Sequence, residues 1–139
     1  MTVFVDTNVL LDVLSHRKPF YEASAGVWSL AERGEVRAHI SAISFNNIYY
    51  VIRKLKNRNT AEKALRLLRD IFEPVAPDRQ ILNQSIDADF DDFEDAVQFH
   101  SALRAKVTCL ITRNPKHFPR SSLPVLTPEE FLVTISQKD

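Results

Sequence analysis

Residues 87 to 95 read DADFDDFED and hold six carboxylates, Asp87, Asp89, Asp91, Asp92, Glu94 and Asp95, with no basic side chain among them. Helix N-termini favour acidic residues, and Asp91 with Glu94 has the D-x-x-E spacing of a capping box, which accounts for that pair. Asp92 and Asp95 remain. They stand three apart and are therefore neighbours on one helical face, where like charges repel unless a cation neutralises them. Oxygen donors of this kind suit hard divalent ions such as Mg²⁺ or Mn²⁺. Another acid, Asp6, ends the apolar run VFV just before NVLLDVL; its bland role would be a helix N-cap or turn former. The stretch LITRNPKHF follows an apolar segment with Thr112, Arg113, Asn114, Lys116 and His117, donors that by themselves read as a solvated loop.

Those residues need elements to position them. Short β-type runs alternate with longer helical ones. TVFV is a strand and NVLLDVL starts a helix; PFYEASAGVWSLAER is a second helix that Gly34 closes. VRAHIS is the second strand. Phe45, Ile48, Tyr49, Ile52 and Leu55 repeat at helical spacing, as do Ala61, Ala64, Leu65, Leu68 and Phe72. EPVAP is a short third strand at best, DRQILNQSI a helix, and another helix begins near Phe93. VTCLIT is a strand, and PVLTPEEFLVTI ends as strand then helix, with Thr127 as N-cap and Pro128 at the first helical position. Alternation of this kind predicts a parallel sheet with helices on both faces. In such sheets ligands bind at the carboxyl ends of the strands, where Asp6 and the TRNP loop both fall.

Composition removes several classes of function. The 139 residues fit one domain and 45% of them are hydrophobic, enough for a single core. Lys plus Arg and Asp plus Glu balance at 18 each, so no global field recruits nucleic acid or membrane. A single cysteine, Cys109, excludes an internal disulfide and reads as a core residue. Gly26 and Gly34, the only glycines, fit neither a phosphate loop nor a dinucleotide fingerprint. The four histidines have no paired ligand spacing. No apolar run reaches a membrane span and no leader pattern opens the chain, which is therefore expected to be soluble and cytoplasmic. A strand ending in DTN also suits aspartyl-phosphate chemistry. That chemistry wants a second strand-end aspartate or a strand-end lysine, and LIT ends on threonine.

In order and spacing, VDTNVLLD, ISAISFNNIYYV, DFEDAV and LITRNP together resemble the PIN-domain ribonuclease family, including the VapC-like toxins of type II toxin–antitoxin modules. The resemblance covers nearly the whole chain, residues 1–139 as a single domain. It implies a three-layer α/β/α sandwich with a central, mainly parallel sheet of four to five strands. It implies further that Asp6 and Asp95 ligate Mg²⁺ or Mn²⁺, that Asp92 does so directly or through water, and that Asn114 orients a ligand. The family usually carries glutamate at the position of Asn47. An amide there brings no charge, so Asn47→Glu is expected to tighten metal binding. The implied activity is metal-dependent cleavage of RNA, with an antitoxin protein as partner and a homodimer as assembly. The alternative is a degenerate PIN domain that binds RNA or a protein without cutting.

Local charge agrees with an RNA partner. From Arg53 to Arg69, seven basic residues, Lys54, Lys56 and Arg58 among them, face Glu62 alone. From Ala96 to Pro128 there is no acid, while Arg104, Lys106, Arg113, Lys116 and Arg120 accumulate. Basic surface around an acidic pocket draws phosphates toward carboxylates that would otherwise repel them. Thr112, Arg113 and Lys116 are expected at the scissile phosphate or its neighbours, and Lys54, Lys56 and Arg58 along the flanking strand.

Overall fold

The computed structural model describes residues 1–137, so Lys138 and Asp139 of the expected domain lie outside the described residues. Among the described residues, β1 (Thr2–Val5), β2 (Arg37–Ser41), β3 (Glu73–Val75), β4 (Cys109–Ile111) and β5 (Val125–Leu126) form one sheet ordered β3-β2-β1-β4-β5, and every pairing is parallel. The helices are α1 (Thr7–Leu14), α2 (Tyr21–Glu32), α3 (Ala42–Leu55), α4 (Arg58–Ile71), α5 (Arg79–Asp87), α6 (Phe93–Ala105) and α7 (Pro128–Ser136). EPV is thus a true strand, at one rim.

Both faces of the sheet are covered, which is why its strands read as unbroken apolar runs. Val3, Val5 and Ile111 point into the larger core with Leu10, Trp28, Ile48, Leu68 and Phe131 from α1, α2, α3, α4 and α7. Phe4 and Leu110 point the other way, onto Phe99 and Ala102 of α6 and onto Phe118. Helix ends follow local chemistry. Gly34 takes φ +75° just past α2, and Thr127 with Glu130 forms a full capping box at α7. Helix α3 starts earlier than periodicity alone predicts, because the Ser41 side chain accepts from the Ile43 N–H and caps it. Ile48 and Ile52 are buried as expected, but Leu55, the last residue of α3, is 59% exposed.

The topology selects one place for a site. From β1 the chain moves outward to β2 and β3, then returns to pair β4 on the other side of β1. Crossovers that leave neighbouring strands in opposite directions open a crevice at their carboxyl ends. Asp6 stands there, its N–H donating to Ile111 O at 2.9 Å, with Thr112 directly beyond β4.

Candidate active site

Asp6 occupies the N-cap position of α1, but its side chain makes no capping bond. It is 4% exposed, and Thr112 Oγ1 donates to its Oδ2 at 2.6 Å. Burial pushes its carboxyl above the ordinary carboxylate range, opposed by the Thr112 hydroxyl, the Gln98 amide and backbone N–H groups at the start of α1. Asp6 thus ends the first strand as a buried carboxylate held by Thr112 beyond β4 as well as by the start of its own helix.

Helix α6 brings the other acids. Asp92 is its N-cap, with Oδ1 accepting from the Asp95 N–H at 3.0 Å. This corrects the capping expectation, since Asp92, not Asp91, holds the helix end, and Glu94 does not fold back as a capping-box partner. Instead the Glu94 side chain reaches across to α3, where Asn47 Nδ2 donates to its Oε2. Burial raises the Glu94 carboxyl, followed by the charges of Asp6, Asp92 and Asp95. Asp95 is raised to about 6, again by burial first and then by Asp6 and Asp92, while His117 Nδ1, 3.5 Å from its Oδ2, opposes the shift. Asp6, Asp92, Glu94 and Asp95 therefore share one electrostatic neighbourhood, and Glu94 is the member that the acidic run did not single out.

Each carboxylate is turned toward a protein group: Asp6 to Thr112, Asp92 to the helix end, Glu94 to Asn47 and Asp95 to His117. Among the described residues no three metal-ligating side chains already converge on one point. Mutual repulsion explains the splaying, and a cation that draws the acids together must displace these contacts. Gln98, one helical turn after Glu94, is 1% exposed. Its Oε1 accepts from the Thr7 N–H at 3.2 Å, and its amide faces the Asp6 carboxylate.

Other expected residues take different roles. Thr112 is fully buried, so it acts through Asp6 and presents no surface to a phosphate. Asn114 donates its backbone N–H to Thr112 Oγ1 at 3.2 Å and opens a 3₁₀ turn, Pro115–His117, with its side chain and Lys116 exposed beside the crevice. Arg113 pairs its Nε with Asp12 Oδ2 at 2.9 Å and lies 4.2 Å from the Phe20 ring centroid. Lys54, Lys56 and Arg58 are all exposed, with Lys54 about 10 Å along the α3 axis from Asn47. Beside the acids runs a groove of about 820 Å³ lined by Thr7, Asn46, Asn47, Tyr50, Phe93 and Glu94, and none of the three basic residues lines it.

The raised Asp95 carboxyl has a sign that can be checked. Between the ordinary 3.8 and about 6 the folded state holds a proton that the unfolded chain has released. Metal-free stability therefore falls as pH rises through that window, by about 1 to 2 kcal/mol for this group. Melting curves from pH 4 to 7 are expected to show the decline, and saturating Mn²⁺ to reduce it above pH 6. A metal-free stability that climbs through the same window counts against a buried, repelled Asp95.

Comparison with known proteins adds an independent finding. The family profile described as PIN domain matches residues 2–116. The chain is 28% identical over 135 residues to Ribonuclease VapC1 of Aquifex aeolicus (strain VF5), covering 93% of this chain and 92% of that protein. Its fold matches a toxin–antitoxin complex from Klebsiella pneumoniae with TM-score 0.67 at 23% identity, covering 91% of this chain and 97% of that one. It also matches VapBC-1 from nontypeable Haemophilus influenzae with TM-score 0.66 at 20% identity, covering 93% and 99%.

Proposed function

Because this chain belongs to the PIN-domain family, we propose that it is a divalent-metal-dependent endoribonuclease that hydrolyses RNA phosphodiester bonds, and that it serves as the toxin of a toxin–antitoxin pair. The observation that carries this reading is Asp6, buried at the switch point and facing acids delivered by α6. Carboxylate oxygens in mutual repulsion fit Mg²⁺ or Mn²⁺, with Asp6 and Asp95 as ligands and Asp92 as a direct or water-mediated one. When bound, such an ion activates water and offsets charge on the phosphoryl oxygens. The chain's own residues do the rest. Thr112 holds Asp6 in one orientation, Gln98 ties the start of α1 to α6, and the exposed Asn114 and Lys116 stand at the mouth to meet the substrate.

The curated relative is named a ribonuclease and two fold neighbours are toxin–antitoxin complexes, which supports an RNA substrate and an antitoxin partner. A homodimer and a cytoplasmic site follow from the same family resemblance; no helix among the described residues is long and apolar enough to cross a membrane. The second reading, a domain that binds RNA or a partner without cutting, draws on the splayed acids. Incubating single-stranded RNA with the protein separates the two. Cleavage that needs Mg²⁺ or Mn²⁺ and stops with EDTA is the expected result. RNA binding that survives EDTA and yields no product in any metal would favour the second.

The basic surface has its own test. Changing Lys54, Lys56 and Arg58 to Gln is expected to weaken RNA affinity and to flatten its salt dependence by up to about 3 in the log–log slope, one per lost phosphate contact. An unchanged slope would mean that these residues form only a solvated face.

A further inference from the structure

Asn47 of α3 and Glu94 of α6 meet across the groove beside the acids. We propose that Glu94 is a metal ligand of the centre and that Asn47 is its positioning residue, so that carboxylate and amide have exchanged helices across the groove between α6 and α3. The inference rests on the metal-site reading above and deepens it.

Three observations lead there. First, Asn47 Nδ2 donates to Glu94 Oε2, a long-range contact that fixes the carboxylate on the crevice side of α6 and orients the amide of Asn47. Second, α6 is capped by Asp92, which leaves Glu94 free of any capping duty. Third, Gln98 lies one turn along the same helical face, is almost fully buried and turns its amide toward Asp6. The face of α6 that carries Glu94 thus points at Asp6. The like charges of Asp6, Asp92 and Asp95 bear on Glu94 as well. The hydrogen bond from the Asn47 amide offsets them.

This reverses the expectation for Asn47→Glu. A glutamate there would meet Glu94 head-on and remove the donor that holds it. Adding a carboxylate then destabilises the metal-free protein and does not improve the site.

A charge-swap set tests the proposal, with Mn²⁺ affinity from isothermal titration and RNA cleavage measured on each folded variant. Glu94→Gln is expected to weaken Mn²⁺ binding about ten-fold or more and to slow cleavage by a similar or larger factor. Asn47→Glu alone is expected to lower the melting temperature without metal and to cleave no faster than wild type. The double variant Asn47→Glu/Glu94→Gln, which restores one acid and one amide facing each other, is expected to recover most of the Mn²⁺ affinity lost in Glu94→Gln. A purely structural contact would not give that recovery in metal binding. Wild-type Mn²⁺ affinity in Glu94→Gln, or a double variant no tighter than Glu94→Gln, overturns the proposal. A wild-type protein that binds no Mn²⁺ overturns the metal reading itself, and that outcome is visible before any variant is made.

Discussion

Replacing Asp6 with asparagine is expected to abolish RNA cleavage, by roughly a thousand-fold or more, while leaving the metal-free protein at least as stable as wild type. The size follows from removing a charged group that stabilises charge developing at the phosphate. The stability follows from burial. Asp6 is 4% exposed and its carboxyl is raised by desolvation, so the ionised acid is held at a cost near neutral pH that asparagine does not carry. The amide oxygen still accepts from Thr112, so the local geometry has no reason to collapse. Cleavage rate and thermal melting on the same preparation check both halves. A side chain whose removal destroys activity and spares the fold is held for function. An Asp6→Asn protein that melts much earlier would return Asp6 to the ordinary duty of a structural strand-end acid.

The second large effect concerns stability. Asp12 is completely buried in α1 and touches the Arg113 guanidinium at 2.9 Å, while Phe20 lies against the same guanidinium. Asp12→Ala leaves the Arg113 Nε buried and without its counter-charge, and breaking such a pair costs about 3 kcal/mol or more. For a chain of this length that lowers the melting temperature by about 10 °C. Arg113→Met in the Asp12→Ala background is expected to recover a large part of the loss, because the orphaned charge is then gone. Recovery failing to appear would show that Asp12 is needed for its own packing and not for Arg113. The pair ties the loop after β4 to the first two helices, so Arg113 has a structural role there.

Much of this was readable from residue order. Helical spacing located α3 and α4, and the apolar runs located β1 and β4. Asp6 could be placed at the carboxyl side of the sheet because strand ends gather there, whereas Asp95, on α6, is expected at the site from its spacing to Asp92 and from the family resemblance. Glu94 could not be placed, since D-x-x-E at a helix start reads equally as a capping box, and a shift of one residue in the N-cap, from Asp91 to Asp92, decides which acid is free. The bond from Asn47 to Glu94 spans 47 positions and the pair of Asp12 with Arg113 joins chain segments farther apart still, so neither leaves a local pattern. Gln98 gives no signal beyond an amide one turn after Glu94. Its significance depends on Asp6 lying opposite, which only the sheet topology supplies. Leu55 shows the converse limit: helical periodicity continues to the last residue of α3, but the core it faces has already ended.

Titrating Mn²⁺ into the metal-free protein, with binding heat and RNA cleavage followed across one concentration series, decides whether Asp6 and the acids of α6 form the proposed divalent-metal centre. Saturable binding is expected, with cleavage rising at the same metal concentrations as binding. No binding at millimolar Mn²⁺, or cleavage that proceeds unchanged in EDTA, would contradict it.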